Sequence, residues 1–391
     1  MKTEQAKKPN YAWILRHAWI LRVLFAFVLL YLFLVGIKLL EESFSSVGGN
    51  TAQQIAKDLS NPFAALAAGV LMTVLVQSSS VTTCTIVALV ADGKLPLHVA
   101  VPMVMGANIG TTITNTLVSL GHVTRRDEFR RAFAGATVHD FFNLLTVSIL
   151  LPLELATGFL LKSAEWLAAQ VPATKGEFNS PIKNAVEWLS DQIVTVVENG
   201  LNVIGLSGAG AAPAPNVWLA IALAVIGFGF IVVTLIFITK NMKRLMANRI
   251  EELLNRVLQK SGWIGLAIGI VITIFVQSSS ITTSLLIPMF GAGLLRVENG
   301  FPIMIGANIG TTVTALLAAS VTGSAGLTIA LVHLLFNLCG TLIFFPVKPM
   351  RRIPVWLGER LADLAAQNRL LVIVYIAVLF VVLPILGIWL F

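Results

Sequence analysis

Two identical polar quartets interrupt apolar segments of this chain. Gln-Ser-Ser-Ser stands at 77–80, within the apolar residues 62–91, and again at 277–280. In lipid an unsatisfied backbone group costs several kcal/mol, so irregular backbone persists only where it lines a cavity or contacts a ligand. Free N–H groups at a broken helix end suit an anion, and hydroxyl, carbonyl and amide oxygens suit a hard cation such as sodium. The quartets therefore predict two broken re-entrant helical hairpins that hold an oxyanion together with cations.

A second polar motif, GANIGTT, also occurs twice, at 106–112 and 306–312. Its glycines permit sharp unwinding of a helix or a close backbone approach. Small residues at a helix crossing would explain the glycines, but they explain the clustered Asn and Thr side chains poorly. Each copy, with the Thr two residues beyond it, supplies candidate oxygen ligands: Asn108, Thr111, Thr112 and Thr114, and Asn308, Thr311, Thr312 and Thr314.

Both motifs recur at an offset of 200 residues, which indicates an internal duplication. TVLVQSSSVTT at 73–83 matches TIFVQSSSITT at 273–283, and HDFFN at 139–143 matches HLLFN at 333–337 more loosely. A single serine run could merely pack helices or tolerate a kink. Helix packing or a tolerated kink explains poorly why two serine runs recur together with a second motif at the same offset of 200 residues.

The elements that must position these motifs are membrane helices. Hydrophobic residues make up 57% of the 391 residues and charged residues 12%, with a mean hydropathy of +0.86. Soluble domains carry about 25% charged residues, so an ordinary soluble protein is excluded. The net charge of +8 lies in short loops between apolar segments, which indicates positive-inside topology rather than nucleic-acid binding. We predict an all-α polytopic membrane protein that contacts the lipid bilayer and no nucleic acid.

The apolar runs and basic clusters predict a cytoplasmic N-terminus and crossings at 19–40, 97–120, 132–156, 216–239, 301–320, 325–347 and 370–391. The chain then crosses an odd number of times between the two copies, so the second copy is inverted. Inverted repeats with interrupted segments at matching positions indicate a secondary transporter with a midplane site. The expected divisions are a cytoplasmic N-terminus 1–18, a first transport repeat 19–156, an extracytoplasmic loop with short amphipathic helices 157–215, a second transport repeat 216–347, and a cytoplasmic linker with a C-terminal transmembrane helix 348–391.

One carboxylate lies in the middle of a predicted crossing. Asp140 stands within AFAGATVHDFFNLL, and an intramembrane ionisable residue is by default a functional candidate. Its counterpart in the second copy is Leu334, so it could create one extra cation site in one half only. A protonated carboxyl group, or one paired with a neighbour, is the alternative. The recurring His139 and His333 are spaced like helix-packing residues, and we expect structural roles for both.

Basic residues are absent from the sequence close to either motif. A bound anion would therefore need co-bound metal ions to neutralise its charge. Cation-coupled binding of an oxyanion is the chemistry that these donors favour.

The motifs resemble those of the type II sodium-dependent phosphate cotransporters. The resemblance is carried by both quartets, both GANIGTT copies and FRRAFAGATVHDFFNLLTVSILLPLE at 129–154, and covers roughly residues 60–157 and 216–365. It implies symport of inorganic phosphate with sodium by alternating access. It implies no enzymatic activity and no organic cofactor.

The resemblance also implies site residues. Both quartets would contact phosphate and sodium, and the phosphate candidates are Gln77, Ser78, Ser79, Ser80, Ser278, Ser279, Ser280, Asn108 and Asn308. The family positions of a sodium site are matched by Gln277, Thr311, Thr314 and Asn143, and the corresponding candidates of the first copy are Gln77, Thr111 and Thr114. Asp140 matches the aspartate of electrogenic members, which implies a further sodium and about three sodium ions per divalent phosphate.

The periphery differs from that of vertebrate relatives, which carry a larger extracellular loop with cysteines and glycosylation sites. Here the corresponding loop contains short amphipathic stretches such as IKNAVEWLSDQIVTVV. We therefore expect a multi-pass protein of a bacterial inner membrane. The sequence leaves its oligomeric state open.

Other functions compete with symport of phosphate. An anion channel fits less well, because channels usually gain symmetry from several subunits rather than from an inverted repeat in one chain. A sodium symporter of another small oxyanion would use the same donors. An intramembrane serine hydrolase needs an activating base beside its nucleophile, and no motif places one next to a quartet.

Overall fold

The structure, a computed structural model, describes residues 20–32, 61–91, 95–170, 181–204, 217–245, 261–276, 278–319 and 323–391, with a few positions between 35 and 46 and residues 93 and 206. All secondary structure in these ranges is helical. The predicted all-α class is thereby confirmed. The expected N-terminal segment 1–18 lies outside the described residues.

The helices of the first half are α1 Ile20–Leu32, α2 Pro62–Val76, α3 Ser79–Ala91, α4 Leu97–Gly110, α5 Ile113–Ser119, α6 Arg126–Thr157, α7 Phe159–Ala168 and α8 Pro181–Val203. Those of the second half are α9 Val217–Leu245, α10 Gly262–Val276, α11 Ser279–Ser284, α12 Leu286–Ala292, α13 Val297–Ala319, α14 Gly323–Phe344, α15 Lys348–Gln367, α16 Leu370–Ala377 and α17 Leu383–Leu390. A π-helical turn, Val378–Val382, joins α16 to α17.

Four helical stretches of the described chain are long and apolar enough to cross a membrane: Leu97–His122, Arg126–Thr157, Ser324–Phe344 and Leu370–Leu390. They coincide with four of the seven predicted crossings. Two further predicted crossings are described in part, as the shorter apolar helices Ile20–Leu32 and Val217–Phe230. Residues 301–319 of the crossing expected at 301–320 lie within α13.

The duplication in sequence is also a duplication in packing. In the first copy α2 lies so close to α4 that a Cβ at Gly69 would collide with the carbonyl oxygen of Met103. In the second copy α10 lies against α13 in the same way, and a Cβ at Gly269 would collide with the carbonyl oxygen of Ile303. Only glycine allows backbones to approach this closely. Each copy thus holds the helix that leads into its quartet against its GANIGTT helix.

Both quartets lie at helix breaks. α2 ends at Val76 and α3 begins at Ser79, while α10 ends at Val276 and α11 begins at Ser279. Gln77 ends α2 in the left-handed region, with φ 55°, a conformation that costs an L-residue roughly 1–2 kcal/mol. The interruptions therefore fall where the polar residues predict them.

The two GANIGTT copies differ in backbone. In the first copy α4 ends at Gly110 and α5 begins at Ile113, whereas α13 continues without a break through the second copy. Thr111 and Thr112, between α4 and α5, keep right-handed helical backbone angles, so the first copy is irregular over two residues without being unwound. What both copies share is close packing, because a Cβ at Gly110 would press on Thr73 and one at Gly310 on Thr273.

Two charged segments expected outside the membrane are helical. α6 begins at Arg126 and carries Asp127 and Glu128 in its first turn, where acidic side chains stabilise a helix N-terminus. The expected linker after residue 348 forms α15, which packs along α6 with Gly358 facing the backbone of that helix. The linker is therefore an integral part of the helix packing around α6.

Candidate functional site

A side-chain contact joins the first quartet to the first GANIGTT copy. Thr114 donates its hydroxyl to Oε1 of Gln77 at 3.0 Å. The amide of Gln77 donates from Nε2 to the carbonyl oxygen of Val74 at 2.8 Å. Both Gln77 and Thr114 are buried. Two side chains that the sequence assigns to cation binding therefore lie in contact inside the protein.

The serines of both quartets lie where the helix resumes after the break. The hydroxyl oxygen of Ser78 accepts from the N–H of Val81 at 3.4 Å, and that of Ser278 accepts from Ile281 at 3.3 Å. The first N–H groups of a helix have no partner within it, and an anion can accept from them. Each quartet thus places buried serines at a helix N-terminus, Ser79 in the first copy and Ser279 and Ser280 in the second.

Three asparagines form a continuous hydrogen-bonded link between the two copies. Asn143 donates from Nδ2 to the carbonyl oxygen of Asn108 at 2.6 Å. Asn308 donates from Nδ2 to Oδ1 of Asn143 at 2.9 Å. All three side chains are buried, and buried polar groups require such partners. The link fixes both GANIGTT copies against α6.

His139 and Asn115 extend this link towards the helix of the second quartet. Nε2 of His139 lies 2.7 Å from Oδ1 of Asn308, and its Nδ1 lies 3.4 Å from Nδ2 of Asn115. Oδ1 of Asn115 accepts from the hydroxyls of Thr283 at 2.9 Å and Ser284 at 3.0 Å. The partners fit an imidazole that carries one proton, on Nε2. His139 bridges helices, which agrees with the structural role expected for it.

Asn115 is the site residue that the sequence reasoning missed. It stands just beyond the duplicated GANIGTTIT, and its counterpart in the second copy is Ala315. A comparison of the two copies therefore does not single out Asn115. The available signal was a second amide side chain, besides Asn108, within the apolar segment 97–120, because a buried amide needs a hydrogen-bond partner.

Asp140 is fully buried, and its two carboxylate oxygens differ in environment. Oδ2 accepts from the phenol hydroxyl of Tyr375 at 2.6 Å and from the hydroxyl of Thr116 at 3.4 Å. Oδ1 has no hydrogen-bond partner among the described residues. The carboxylate is thus held at Oδ2, while Oδ1 is buried without a hydrogen-bond partner.

The second copy lacks this carboxylate, and its polar pair is only partly satisfied. Leu334 occupies the position of Asp140. Asn337 donates from Nδ2 to the carbonyl oxygen of His333 at 2.9 Å. Oδ1 of Asn337 and Nδ1 of His333 are buried without a partner in the described part of the chain, and each such group costs about 1–3 kcal/mol. The two halves, alike in sequence, therefore differ in hydrogen bonding.

Hydrogen bonding in the structure says less about the remaining predicted sodium ligands. Thr111 and Thr311 donate their hydroxyls to carbonyl oxygens one turn back on their own helices, at 2.9 and 3.0 Å. Their oxygens nevertheless keep lone pairs for a cation. Thr314 is half-buried. Gln277 lies outside the described residues.

Arginine and lysine take no part in the hydrogen bonds just described. Arg131 and Arg351 instead donate to backbone carbonyl oxygens, those of Gly291 and Phe345, each at 2.8 Å. The donors grouped around the quartets are hydroxyls, amides and backbone N–H groups. An anion held by these groups alone would keep its full charge.

Known proteins resemble the chain over most of its length. A family model described as Na+/Pi-cotransporter matches residues 32–165 and 230–359. Sodium-dependent phosphate transport protein 2A of Ovis aries is 32% identical over 91% of this chain and 65% of its own length, and protein 2A of Rattus norvegicus is 33% identical over the same shares. Sodium-dependent phosphate transport protein 2B of Homo sapiens is 31% identical over 91% of this chain and 63% of its own length. The chain thus spans less than two thirds of these relatives. No solved structure matches it.

The matched ranges include the candidate site but not the C-terminal helices. The first range contains the first quartet and Asp140, and the second contains the second quartet. Tyr375, which contacts Asp140, lies beyond the end of the second range.

Proposed function

The chain belongs to the Na+/Pi-cotransporter family, and from this premise we propose that it carries inorganic phosphate across a membrane together with sodium ions. The observation that carries the proposal is the asparagine link. Asn143 bonds to both GANIGTT copies in the buried interior, so the duplicated polar motifs converge on one place. The names of the relatives support phosphate and sodium as the transported species.

Phosphate is proposed to bind between the two helix breaks. Serine hydroxyls and amide side chains lie beside the N-termini of α3 and α11, and hydroxyl, amide and helix N-terminal N–H donors bind phosphate oxygens without a side-chain cation. The proposed residues are Gln77, Ser78, Ser79, Ser80, Ser278, Ser279, Ser280, Asn108 and Asn308.

Sodium is proposed to bind at oxygen clusters beside the quartets. The contact between Gln77 and Thr114 supports a site in the first copy, together with Thr111. By the internal repeat, Gln277 and Thr314 would form the corresponding contact of the second copy. Its further ligands would be Thr311 and Asn143. Asp140 would supply one more site, through its free Oδ1.

Charge balance supports coupled transport. Divalent phosphate without a basic partner is costly to bury, and two sodium ions would neutralise it. A third sodium needs an anion of its own near the membrane centre, which Asp140 can provide and Leu334 cannot. We propose an electrogenic cycle with about three sodium ions per divalent phosphate on these grounds.

Alternating access between inverted repeats is supported by the unequal hydrogen bonding of the halves. His139 and Asn143 are satisfied through Asn308, whereas the corresponding His333 and Asn337 have unpaired buried atoms. If the halves exchange conformations, the equivalent partner of His333 is Asn108. His333 and Asn337 would then gain the hydrogen bonds that His139 and Asn143 lose. The two conformations would therefore be similar in free energy.

The proposed arrangement in the membrane follows the sequence. The transport repeats 19–156 and 216–347 would be inverted around the helix breaks, which would form re-entrant hairpins. The N-terminal segment 1–18 would lie in the cytoplasm, the loop 157–215 outside, and 348–391 would combine a cytoplasmic segment with a last crossing. A bacterial inner membrane is the proposed location.

Uptake of labelled phosphate by proteoliposomes that contain the full chain tests the proposal. An inward sodium gradient should drive accumulation above equilibrium, and choline at the same pH and osmolarity should not. An anion channel would equilibrate phosphate without sodium. A symporter of another small oxyanion would accumulate sulfate with sodium and leave phosphate outside. Equal phosphate uptake in sodium and choline would contradict the proposal.

A further inference from the structure

The C-terminal helix, the continuous stretch Leu370–Leu390 that comprises α16, the π-helical turn and α17, reaches the Asp140 carboxylate from outside the two repeats. Tyr375 belongs to α16, beyond the range that the family model matches. Most of the surface of Leu370–Leu390 faces away from the protein, but Tyr375 points inwards and donates its hydroxyl to Oδ2 of Asp140 at 2.6 Å. The contact joins residues that are 235 positions apart.

The ring of Tyr375 is held between two buried aromatic side chains. Phe133 and Phe380 pack edge-on against it, with ring centroids 6.2 and 6.3 Å away. Phe380 lies in the π-helical turn that follows α16. Pro384 lacks the N–H that would bond to the carbonyl of Phe380 and would clash with that carbonyl in a regular helix. The wider turn avoids this clash, and π-helical turns of this kind are frequent at functional sites.

We propose that Tyr375 is a positioning residue that sets the sodium affinity of the Asp140 site, an inference that rests on the proposed function. An Asp carboxylate can rotate about its last side-chain bond over a broad range. The hydroxyls of Tyr375 and Thr116 both occupy Oδ2, so they fix that rotation and direct Oδ1 towards the ion. A sodium ion then binds a carboxylate that is already oriented, so less conformational entropy is lost on binding.

The same helix also contacts the helix that leads into the first quartet. A Cβ at Gly387 would lie 2.9 Å from Cβ of Ala67 on α2. The rings of Phe391 and Phe63 are 5.3 Å apart. The C-terminal helix therefore spans from α2 to Asp140, and the orientation of the carboxylate depends on an element that also contacts the quartet helix.

Tyr375→Phe removes the hydroxyl and keeps the ring packing. We expect the sodium concentration for half-maximal phosphate uptake to rise roughly tenfold, the effect of losing one hydrogen bond to a charged group. Charge moved per phosphate should fall at limiting sodium and recover at saturating sodium. The phosphate concentration for half-maximal uptake at saturating sodium should not change. A residue that merely supports the fold would lower the uptake rate without these separate effects.

Tyr31→Phe is the matched control, because the Tyr31 hydroxyl donates to the carbonyl oxygen of Ala185 at 2.9 Å, far along the chain from Asp140. It should behave as the wild type does. In an Asp140→Gly background, adding Tyr375→Phe should cause no further shift in the sodium dependence, since the group it orients is gone. Should Tyr375→Phe fail to fold, Phe380→Leu loosens the support of the ring and should give a smaller shift in the same direction.

Several results would overturn the inference. A wild-type sodium dependence in Tyr375→Phe, or in Phe380→Leu where that variant is the one tested, would remove the positioning role. An equal shift in the Asp140→Gly background would show that Tyr375 acts elsewhere. Both results leave sodium coupling of the wild-type protein intact. Sodium-independent uptake by the wild-type protein would instead overturn the proposed function, and this inference with it.

Discussion

Asn308 donates its side-chain N–H to Oδ1 of Asn143 at 2.9 Å, although 165 residues separate them. The amide of Asn143 is also bonded to the carbonyl oxygen of Asn108, so one side chain on α6 holds both copies of the GANIGTT motif. A relative motion of the two copies must therefore break at least one of these bonds. The link makes the halves of the molecule mechanically dependent on each other.

Asn308→Ala and Asn108→Ala should shift the resting conformation in opposite directions. The first removes the side-chain bonds to Asn143 and His139 in the conformation described. The second leaves those bonds intact and removes the partner that His333 would gain after exchange. In a background where Cys84 and Cys339 are replaced by serine, a thiol introduced at Ser280 should become more accessible from one side in one variant and less accessible in the other. Equal shifts in both variants would contradict exchange between the halves.

Ser79→Ala and Ser279→Ala should each lower phosphate uptake at limiting phosphate about tenfold or more, because each would remove a hydrogen bond to a charged ligand. Both serines are buried at helix breaks. Ser148→Ala is the matched control, since the Ser148 hydroxyl donates to a carbonyl one turn back on the exposed surface of α6. Initial rates of labelled phosphate uptake measure the effect. Wild-type rates in both quartet variants would reduce the serines to a packing role.

Asn115→Ala should destabilise the folded protein by about 1–3 kcal/mol, because the buried Ser284 hydroxyl loses its acceptor on Asn115, whereas the Thr283 hydroxyl keeps the carbonyl oxygen of Ser279. The substitution copies the second half, where Ala315 stands. Thermal unfolding in detergent measures the loss. Asn184→Ala changes an exposed asparagine of α8 and should leave the melting temperature unaltered. If the two variants melt together, the bridge contributes little stability.

Patterns repeated within the sequence predicted the fold most reliably. The helical class follows from long apolar runs, and the breaks at Gln77 and after Val276 follow from polar quartets inside those runs. The GANIGTT glycines predicted close packing correctly. The sharp unwinding that these glycines also permit occurs in neither copy, because helical backbone continues through Thr111 and Thr112 and through α13.

Contacts that occur only once in the chain could not be predicted in this way. Asp140 was recognisable because a carboxylate in an apolar segment is unusual. Its partner Tyr375 was not, because the two are 235 residues apart and nothing in the local pattern relates them. Asn115 has no equivalent in the second copy, where Ala315 stands. The contacts of Asp140 and Asn115 have no equivalent in the second copy and depend on tertiary packing. Comparing the sequences of the two copies cannot predict such contacts.

The proposed cycle moves net charge across the membrane with each phosphate. Divalent phosphate with two sodium ions is neutral, and a third sodium adds one net positive charge. That ion must lose water near the membrane centre, which is costly unless an anion meets it. Asp140 is fully buried with Oδ1 unpaired among the described residues, while Leu334 offers no charge to a corresponding ion in the second half.

An inside-negative potential, set with potassium and valinomycin, should therefore accelerate phosphate uptake by the wild-type protein. Asp140→Gly should abolish the response to potential while some sodium-dependent uptake remains, because the ligands around Gln77 and Thr114 are untouched. Leu334→Gly is the matched control at the equivalent position of the second half and should keep the response. If the wild type ignores the potential, or if Asp140→Gly responds as strongly as the wild type, the Asp140 carboxylate does not bind the extra sodium. Its role would then be limited to the hydrogen bonds that it accepts from Tyr375 and Thr116.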